Sequence, residues 1–404
     1  MGSGKTSAAI CMMNQNPKKK YLFVTPYLDE CERIIEACPA LHFEEPPKFN
    51  PRMKSFKKSI NIRYLLQAGK NVATTHALFG LFDQETLEII RSQGYTLIMD
   101  EVLDVIEVLN IKPCDQGKLL ETNTISINKE DDQVLWHDNE YKRGLWNDIR
   151  YAIESGGLYH YAKDSFLSLS GVENFLAFEN TYILTYMFEA QNHWALFALK
   201  GVPYEYIGVG RDGDRYYFTD DTSHVLDILK GVGDKIIFCG DTERYAIGDD
   251  EHALSATKLR ADRQGQDTTY AELKRCTSYM KRHGFNAERN ITSQELMWTC
   301  YQKALKHIST YGITENNFVA CNARGKNQWG YKTHLCYLVN RYRDPTIKNF
   351  FKKLHIDLSD DDFALSEMIQ WIWRSAIRNG KEIKVYIPSS RMRGLLQKWI
   401  EKVS

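Results

Sequence analysis

Hydrophobic residues follow two alternating patterns along most of the chain. Short apolar runs rich in β-branched and aromatic residues alternate with segments in which apolar residues recur about every 3.6 positions. In the first hundred residues these patterns predict helices at 6–14, 28–37 and 77–91 and strands at 21–25, 71–75 and 96–99. Apolar strands joined by helices are typical of a buried parallel sheet, so the pattern predicts an α/β fold.

The alternation stops between residue 109 and about residue 170, where polar runs such as 128–132 carry no regular strand signal. We interpret this stretch as an insertion or a helical subdomain within the first half. A strand at 182–186 and a segment rich in glycine and aspartate at 208–214 follow it. The domain boundary is predicted near residue 200, which divides the chain into residues 1–200 and 201–404.

The second half repeats the α/β plan. Its predicted strands are 235–239, 317–321, 335–339 and 384–387, and its predicted helices are 293–307 and 364–378. A chain of 404 residues that is 43% hydrophobic can fill two cores. The sequence therefore predicts two α/β domains, each with a parallel sheet flanked by helices.

Composition limits the partners that the chain can have. Lys plus Arg equals Asp plus Glu at 52 each, so no overall positive field holds a polyanion, and a nucleic acid would have to bind in a local cleft. The nine cysteines include no CxxC pair, which favours reduced thiols over a zinc site. No apolar run approaches the roughly 20 residues of a membrane span. We expect a cytoplasmic protein with no membrane partner.

The segment Gly2-Ser3-Gly4-Lys5-Thr6-Ser7 has the form of a phosphate-binding loop that opens a helix. Its glycines let backbone N–H groups wrap a polyphosphate, while Lys5 would reach the β and γ phosphates and Thr6 would hold Mg²⁺. The alternative is a chance Gly-Ser-Gly start. Such a loop normally follows a buried strand, and only Met1 precedes it here, so we expect that strand to be missing and hydrolysis to be weak.

An apolar strand that ends in Asp100 and Glu101 has the form of a Walker B segment. Asp100 would bind the magnesium ion and Glu101 would polarise the attacking water. Acidic pairs at strand ends are common, so this signal is weak alone. Together with the phosphate loop it indicates an ATP site.

These two motifs, with four further segments, resemble those of superfamily 2 helicases of the DEAD/DEAH-box-like kind, phage or bacterial in type, in the same order and over nearly the whole chain. The resemblance implies two RecA-like domains that close on ATP and Mg²⁺. It also implies single-stranded nucleic acid lying across both domains. We expect DNA in preference to RNA, although the motifs themselves do not distinguish the two, and replication proteins as further partners.

Three of these segments resemble motifs that grip nucleic acid in the helicases. They comprise Thr25 and Pro26, then Thr74, Thr75 and His76, and finally Asn322, Arg324 and Gly325. The alternative for the threonines is helix capping, because Thr before a helix is a good N-cap. The alternative for the last segment is a surface turn, since Asn and Gly favour turns.

The fourth segment resembles motif VI, in which Gln370 would meet the γ phosphate and Arg374 and Arg378 would act as arginine fingers. The pattern predicts all three on one helix face. Arg378 follows Arg374 by four residues instead of the usual three, which favours Arg374 as the finger. The alternative is a solvated helix face with Trp371 and Trp373 packed inside.

The sequence departs from the helicase pattern at motif III. The tripeptide 255–257 spells Ser-Ala-Thr but follows the first strand of the second half, and residues 185–191 occupy the usual position of the motif. Two other classes of protein share some of these features, namely a non-hydrolysing nucleic-acid-binding protein and a viral packaging ATPase. Intact Lys5 and Glu101 argue against the first, and the basic C-terminal region argues against the second.

Overall fold

The computed structural model describes residues 2–48, 57–141, 144–155, 157–162, 165–239, 249–262, 268–279, 294–309, 313–323 and 328–403. Within these ranges the chain forms two four-stranded parallel sheets flanked by helices, with an insertion in the first half. The predicted α/β class is confirmed. None of the described helices is long and apolar enough to cross a membrane.

The first half begins with a regular succession of helices and strands. In chain order these are α1 (Lys5–Gln15), β1 (Lys20–Thr25), α2 (Leu28–Ala37), α3 (Lys58–Gln67), β2 (Val72–Thr75), α4 (His76–Phe79), α5 (Gln84–Gln93) and β3 (Tyr95–Asp100). A later strand, β9 (Asn180–Leu184), completes the sheet in the order β2-β1-β3-β9. Nearly every residue of β1 and β3 is buried, as expected of central parallel strands.

The single helix predicted at 77–91 is wrong, because α4 and α5 are separate helices. The break has a local cause in Asp83, whose side chain accepts a hydrogen bond from the Thr86 backbone N–H and caps α5.

The insertion is a β-rich layer, not the helical subdomain of the sequence prediction. Its elements are β4 (Ile106–Asn110), α6 (Pro113–Glu121), β5 (Ile125–Ile127), β6 (Gln133–Trp136), α7 (Asn147–Ser155), β7 (Leu158–Ala162) and β8 (Ser165–Leu169). The five strands form an antiparallel sheet in the order β4-β8-β7-β6-β5. Each strand has only three to five residues, too few for a clear alternating pattern.

A hairpin connects the two halves. After α8 (Glu173–Leu176), β9 and α9 (Asn192–Lys200), the strands β10 (Gly208–Asp212) and β11 (Arg215–Thr219) pair in antiparallel fashion. β11 packs against α1, and the Phe218 ring stacks on Tyr182 of β9 at 5.6 Å between centroids. Residues beyond the predicted boundary near 200 therefore contact the first half.

The second half contains the other parallel sheet. Its elements are α10 (Ser223–Gly233), β12 (Ile236–Phe238), α11 (Ala256–Asp262), α12 (Thr268–Tyr279), β13 (Leu296–Thr299), α13 (Leu305–Ile308), β14 (His334–Tyr337), α14 (Pro345–Lys353), α15 (Asp360–Ile372), β15 (Ile383–Tyr386) and α16 (Ser390–Val403). The strand order is β12-β15-β14-β13. Short 3₁₀ helices occur at Pro39–Leu41, Phe188–Ala190, Gln302–Ala304, Glu315–Asn317 and Ala376–Asn379.

Three predicted elements of this half are wrong. The helix at 293–307 contains the buried strand β13, because an apolar run of four residues fits either a strand or a buried helix. The strand at 317–321 is only an isolated bridge between Phe318 and Trp298. The helix at 364–378 ends at Ile372, and Ser375 then caps the 3₁₀ helix, so Gln370, Arg374 and Arg378 do not share one helix face.

The segment that occupies the motif III position joins the two halves. Arg343 donates hydrogen bonds to the Asn192 side chain at 2.6 Å and to the Ala190 carbonyl. The Gln191 amide donates to the Ser366 hydroxyl of α15 at 3.1 Å. Because Gln191 and Arg343 are both buried, these contacts form part of the packed interface between the halves.

Candidate nucleotide site

A cavity of about 310 Å³ lies between the two halves and collects most of the predicted site residues. Its lining includes Gly2, Ser3, Gly4, Lys5, Thr6, Ser7, Thr25, Pro26, Asp100, Glu101, Gln370, Arg374 and Arg378. These residues come from the N-terminal loop, the carboxyl ends of β1 and β3, and the end of α15 with the turn that follows. Ligand sites of α/β proteins form at the carboxyl ends of parallel strands, which fits this position.

The N-terminal loop has the backbone shape that its glycines permit. Gly2 and Gly4 have φ angles of 70° and 82°, in the left-handed region that favours glycine. Gly4 is the N-cap of α1, so the positive end of the helix dipole faces the cavity next to Lys5. This arrangement is suited to an anion.

Thr6 and Asp100 lie where a divalent cation would need its protein ligands. The Thr6 hydroxyl donates a hydrogen bond to the Asp100 carboxylate at 3.1 Å. Neighbouring oxygens around an octahedral Mg²⁺ are about 3.0 Å apart, given Mg–O distances of about 2.1 Å. The pair therefore fits two adjacent positions of a magnesium shell. Among the described residues, His, Cys, Asp and Glu form no cluster of three or more that could hold a metal by itself.

Burial shifts the pKa values of the charged groups that line the site. Burial lowers the pKa of Lys5, although the nearby carboxylates of Glu101 and Asp100 oppose this shift. Burial and the charge of Glu101 raise the pKa of Asp100 to about 6. A polyphosphate beside Lys5 and a cation beside Asp100 would each stabilise the charged form of its neighbour.

Glu101 has a strained backbone. Its φ of 66° lies in the left-handed region, which is uncommon for residues other than glycine. The Glu101 backbone N–H donates to the Leu184 carbonyl at 3.3 Å, so the end of β9 helps to hold this conformation. Strain of this kind concentrates at functional sites, which makes Glu101 a candidate for a positioned chemical group.

The second half contributes the far wall of the cavity. Gln370 and Arg374 are buried, and Arg378 is partly buried. Burial and the positive charge of Arg374 lower the pKa of Arg378. Two guanidinium groups close enough to repel each other favour an anion between or beside them.

Seven further residues line the cavity that the sequence prediction did not assign to the site: Glu30, Arg33, Leu184, Thr185, Tyr186, Tyr216 and Trp373. Glu30 and Arg33 of α2 form an ion pair at 2.8 Å. In the sequence, Trp373 enters only the alternative interpretation of the motif VI segment, as a residue packed inside. Nothing in the local sequence places Tyr216 here, because only the fold of the hairpin brings it to the loop.

Of the predicted nucleic-acid contacts, Thr25 and Pro26 line the cavity, whereas Thr74 and Thr75 lie in β2 and do not. Thr25 is fully buried, so its side chain faces the cavity and not the surface. Thr74 is buried in β2, and Thr75 occupies the N-cap of α4 without a side-chain capping bond. The His76 Nε2 atom lies 3.1 Å from the Asp100 carbonyl, which links α4 to β3.

The remaining predicted contacts are Asn322, Arg324 and Gly325. Asn322 is exposed and does not line the cavity. Arg324 and Gly325 lie outside the described residues. The role of all these residues in gripping nucleic acid stays a prediction.

The fold and the site define an α/β protein with a glycine-rich N-terminal loop at a cavity between two parallel sheets. Two protein-family models match this chain: the YonV middle domain over residues 106–168 and the YonV C-terminal Rossmann-like domain over residues 233–400. The first match coincides with the antiparallel insertion sheet, and the second covers the second parallel sheet.

One relative is the SPbeta prophage-derived uncharacterized protein YonV of Bacillus subtilis (strain 168), which is 36% identical over 416 residues, covering 99% of this chain and 97% of that protein. The chain belongs to the YonV family. A solved structure, that of S. tokodaii Xpd4, matches 97% of this chain and 91% of its own chain with a TM-score of 0.47 and 11% identity.

Proposed function

We propose that the protein is an ATP-dependent translocase or helicase that acts on single-stranded nucleic acid, DNA rather than RNA. The observation that carries this proposal is the shared cavity. Lys5, the Asp100–Glu101 pair and Arg374 are far apart in sequence, and yet all line one cavity between two parallel sheets. A purely structural role would not require this set of charges to converge.

In the proposed site each residue has a separate task. Lys5 and the backbone N–H groups of the loop bind the phosphates, and Thr6 and Asp100 hold Mg²⁺. The bound metal supplies charge neutralisation at the phosphates. Glu101 orients and deprotonates the attacking water, and Arg374 stabilises the charge that develops on the transferred phosphate.

The cavity walls come from both halves, so hydrolysis would change the contacts between them. The link formed by Arg343 with Ala190 and Asn192 lies at the C-terminal end of the segment that occupies the motif III position. We propose that this link transmits the nucleotide state to the second half, so that alternating closure moves a bound strand. We propose a role in DNA replication or repair, in the cytoplasm, with replication proteins as partners, and the prophage origin of the relative supports the phage setting of this role.

The proposal is tested by phosphate release from Mg-ATP with and without single-stranded DNA. We expect turnover that single strands stimulate, and loss of this turnover in Lys5→Ala and Glu101→Gln. Lys18→Ala, at an exposed position beyond α1, is the matched control and should behave as the wild type. Unchanged turnover in Lys5→Ala or Glu101→Gln would contradict the proposed site.

A further inference from the structure

Two aromatic rings rest directly on the glycines of the phosphate loop. A methyl group built on Gly4 would lie 2.2 Å from the Tyr216 ring, and one built on Gly2 would lie 2.0 Å from the Trp373 ring. Gly2 and Gly4 are two residues apart, so their Cα atoms are within about 7.6 Å of each other. Both rings therefore lie within reach of one ligand held by the loop.

The hairpin presents Tyr216 to the site through a fixed arrangement. Side chains alternate along a strand, so Tyr216 and Phe218 share one face of β11 while Tyr217 points to the other. Phe218 is anchored by its stacking on Tyr182 of β9, at 5.6 Å between centroids, and Tyr217 is 42% exposed. Packing of β11 on α1 thus directs the Tyr216 ring to the loop.

The ring of Tyr216 also carries a cationic neighbour. The Arg211 guanidinium, directly across the hairpin, lies 5.3 Å from the centroid of the Tyr216 ring. Trp373 also lines the cavity and follows α15 directly, next to Arg374. Aromatic side chains beside a phosphate site provide flat apolar surfaces, and every nucleobase has a π face that stacks on such a surface.

We infer that Tyr216 and Trp373 form the base-binding wall of the nucleotide site, so that the ligand is a nucleoside triphosphate held by stacking as well as by its phosphates. This inference rests on the proposed function, because it places the phosphates on the N-terminal loop. Stacking accepts any purine, and we expect ATP and GTP to bind with similar affinity.

A ligand with a nucleoside and a ligand without one, each carrying three phosphates, distinguish stacking from phosphate binding. The dissociation constants of Mg-ATP and Mg-tripolyphosphate are measured by calorimetry on the full chain. We expect Tyr216→Ala to weaken ATP binding by about 5- to 150-fold, the range for loss of one stacked base, and to leave tripolyphosphate binding unchanged. Tyr216→Phe should retain ATP affinity, because it keeps the ring. Trp373→Leu should repeat the selective loss of ATP affinity, and Trp373→Phe should restore most of it.

Tyr217→Ala is the matched control on the opposite face of the same strand, and we expect it to bind both ligands as the wild type does. Equal losses of ATP and tripolyphosphate affinity in Tyr216→Ala would overturn the inference, because they would indicate a role in shaping the loop. Tighter binding of both ligands would also overturn it, since the ring would then be a barrier to phosphate. If the wild type binds neither ligand, the proposed function itself fails.

Discussion

The carboxylate of Asp100 is expected to destabilise the folded protein at neutral pH. Its pKa is raised from 3.8 to about 6 by burial and by the charge of Glu101. A group with a raised folded-state pKa contributes stability below its unfolded pKa, and this stability is lost as the pH rises through the folded pKa. A shift of about two pH units corresponds to about 3 kcal/mol at pH 8.

Asp100→Asn removes the titration while keeping an oxygen that can accept the Thr6 hydrogen bond. The linkage relation gives a penalty for the wild type of about 3 kcal/mol at pH 8 and of about half that at pH 5. The buried amide offsets part of the gain, by on the order of 1 kcal/mol. We therefore expect the variant to be about 2 kcal/mol more stable than the wild type at pH 8, an advantage roughly 1 kcal/mol larger than at pH 5.

Urea unfolding of both proteins between pH 5 and pH 8, in chelator and without Mg²⁺, measures this difference. Asp227→Asn changes an exposed aspartate of α10 and should show no such trend. A stability difference that stays flat with pH, or an Asp100→Asn variant less stable than the wild type at pH 8, would refute the reasoning. Asp100→Asn should also lose ATP turnover, because residues that serve function often reduce the stability of the folded protein.

Three other outcomes follow from the structure. Glu101→Gly should raise the free energy of unfolding by about 1 kcal/mol, because glycine adopts the left-handed conformation without strain, while ATP turnover is lost; a less stable variant would contradict the strain. Arg343→Ala should lower the free energy of unfolding by about 1–3 kcal/mol, because the Ala190 carbonyl and the Asn192 side chain lose their buried hydrogen-bond donor. Amide hydrogen exchange at residues 188–192 should become faster, and unchanged exchange would argue against the link between the halves. The logarithm of the binding constant for single strands should fall linearly with the logarithm of salt concentration, with a slope of roughly −0.7 per phosphate contacted. We expect no base preference, and a binding constant that does not change with salt would favour another class of protein.

The sequence predicted those parts of the site that depend on short segments. Lys5 with its flanking glycines, and Asp100 with Glu101 after an apolar strand, are local patterns whose chemistry and strand context are visible in the chain itself. The parallel strands of the first sheet were also predictable, because buried strands of five or six residues such as β1 and β3 have continuous apolar runs.

The rest depended on contacts between distant segments. The run at β13 is too short to distinguish a strand from a buried helix without its partner β14. The end of α15 at Ile372 depends on the turn capped by Ser375, which a regular helical pattern conceals. Tyr216 reaches the site only because the hairpin folds back on α1, and no spacing rule connects residue 216 to residue 4.

The central claim is that ATP is hydrolysed between the two halves, with a group from the second half acting on phosphates held by the first. The most direct test of this claim measures two quantities in Arg374→Ala: the rate constant for single-turnover hydrolysis of bound Mg-ATP and the dissociation constant for ATP. Arg374→Lys and the exposed Lys398→Ala are the comparison variants, and thermal midpoints establish that each protein is folded. We predict that Arg374→Ala slows hydrolysis on the order of a thousandfold with ATP affinity nearly unchanged, and that Arg378→Ala has a smaller effect. Wild-type hydrolysis rates in a folded Arg374→Ala protein would contradict the account.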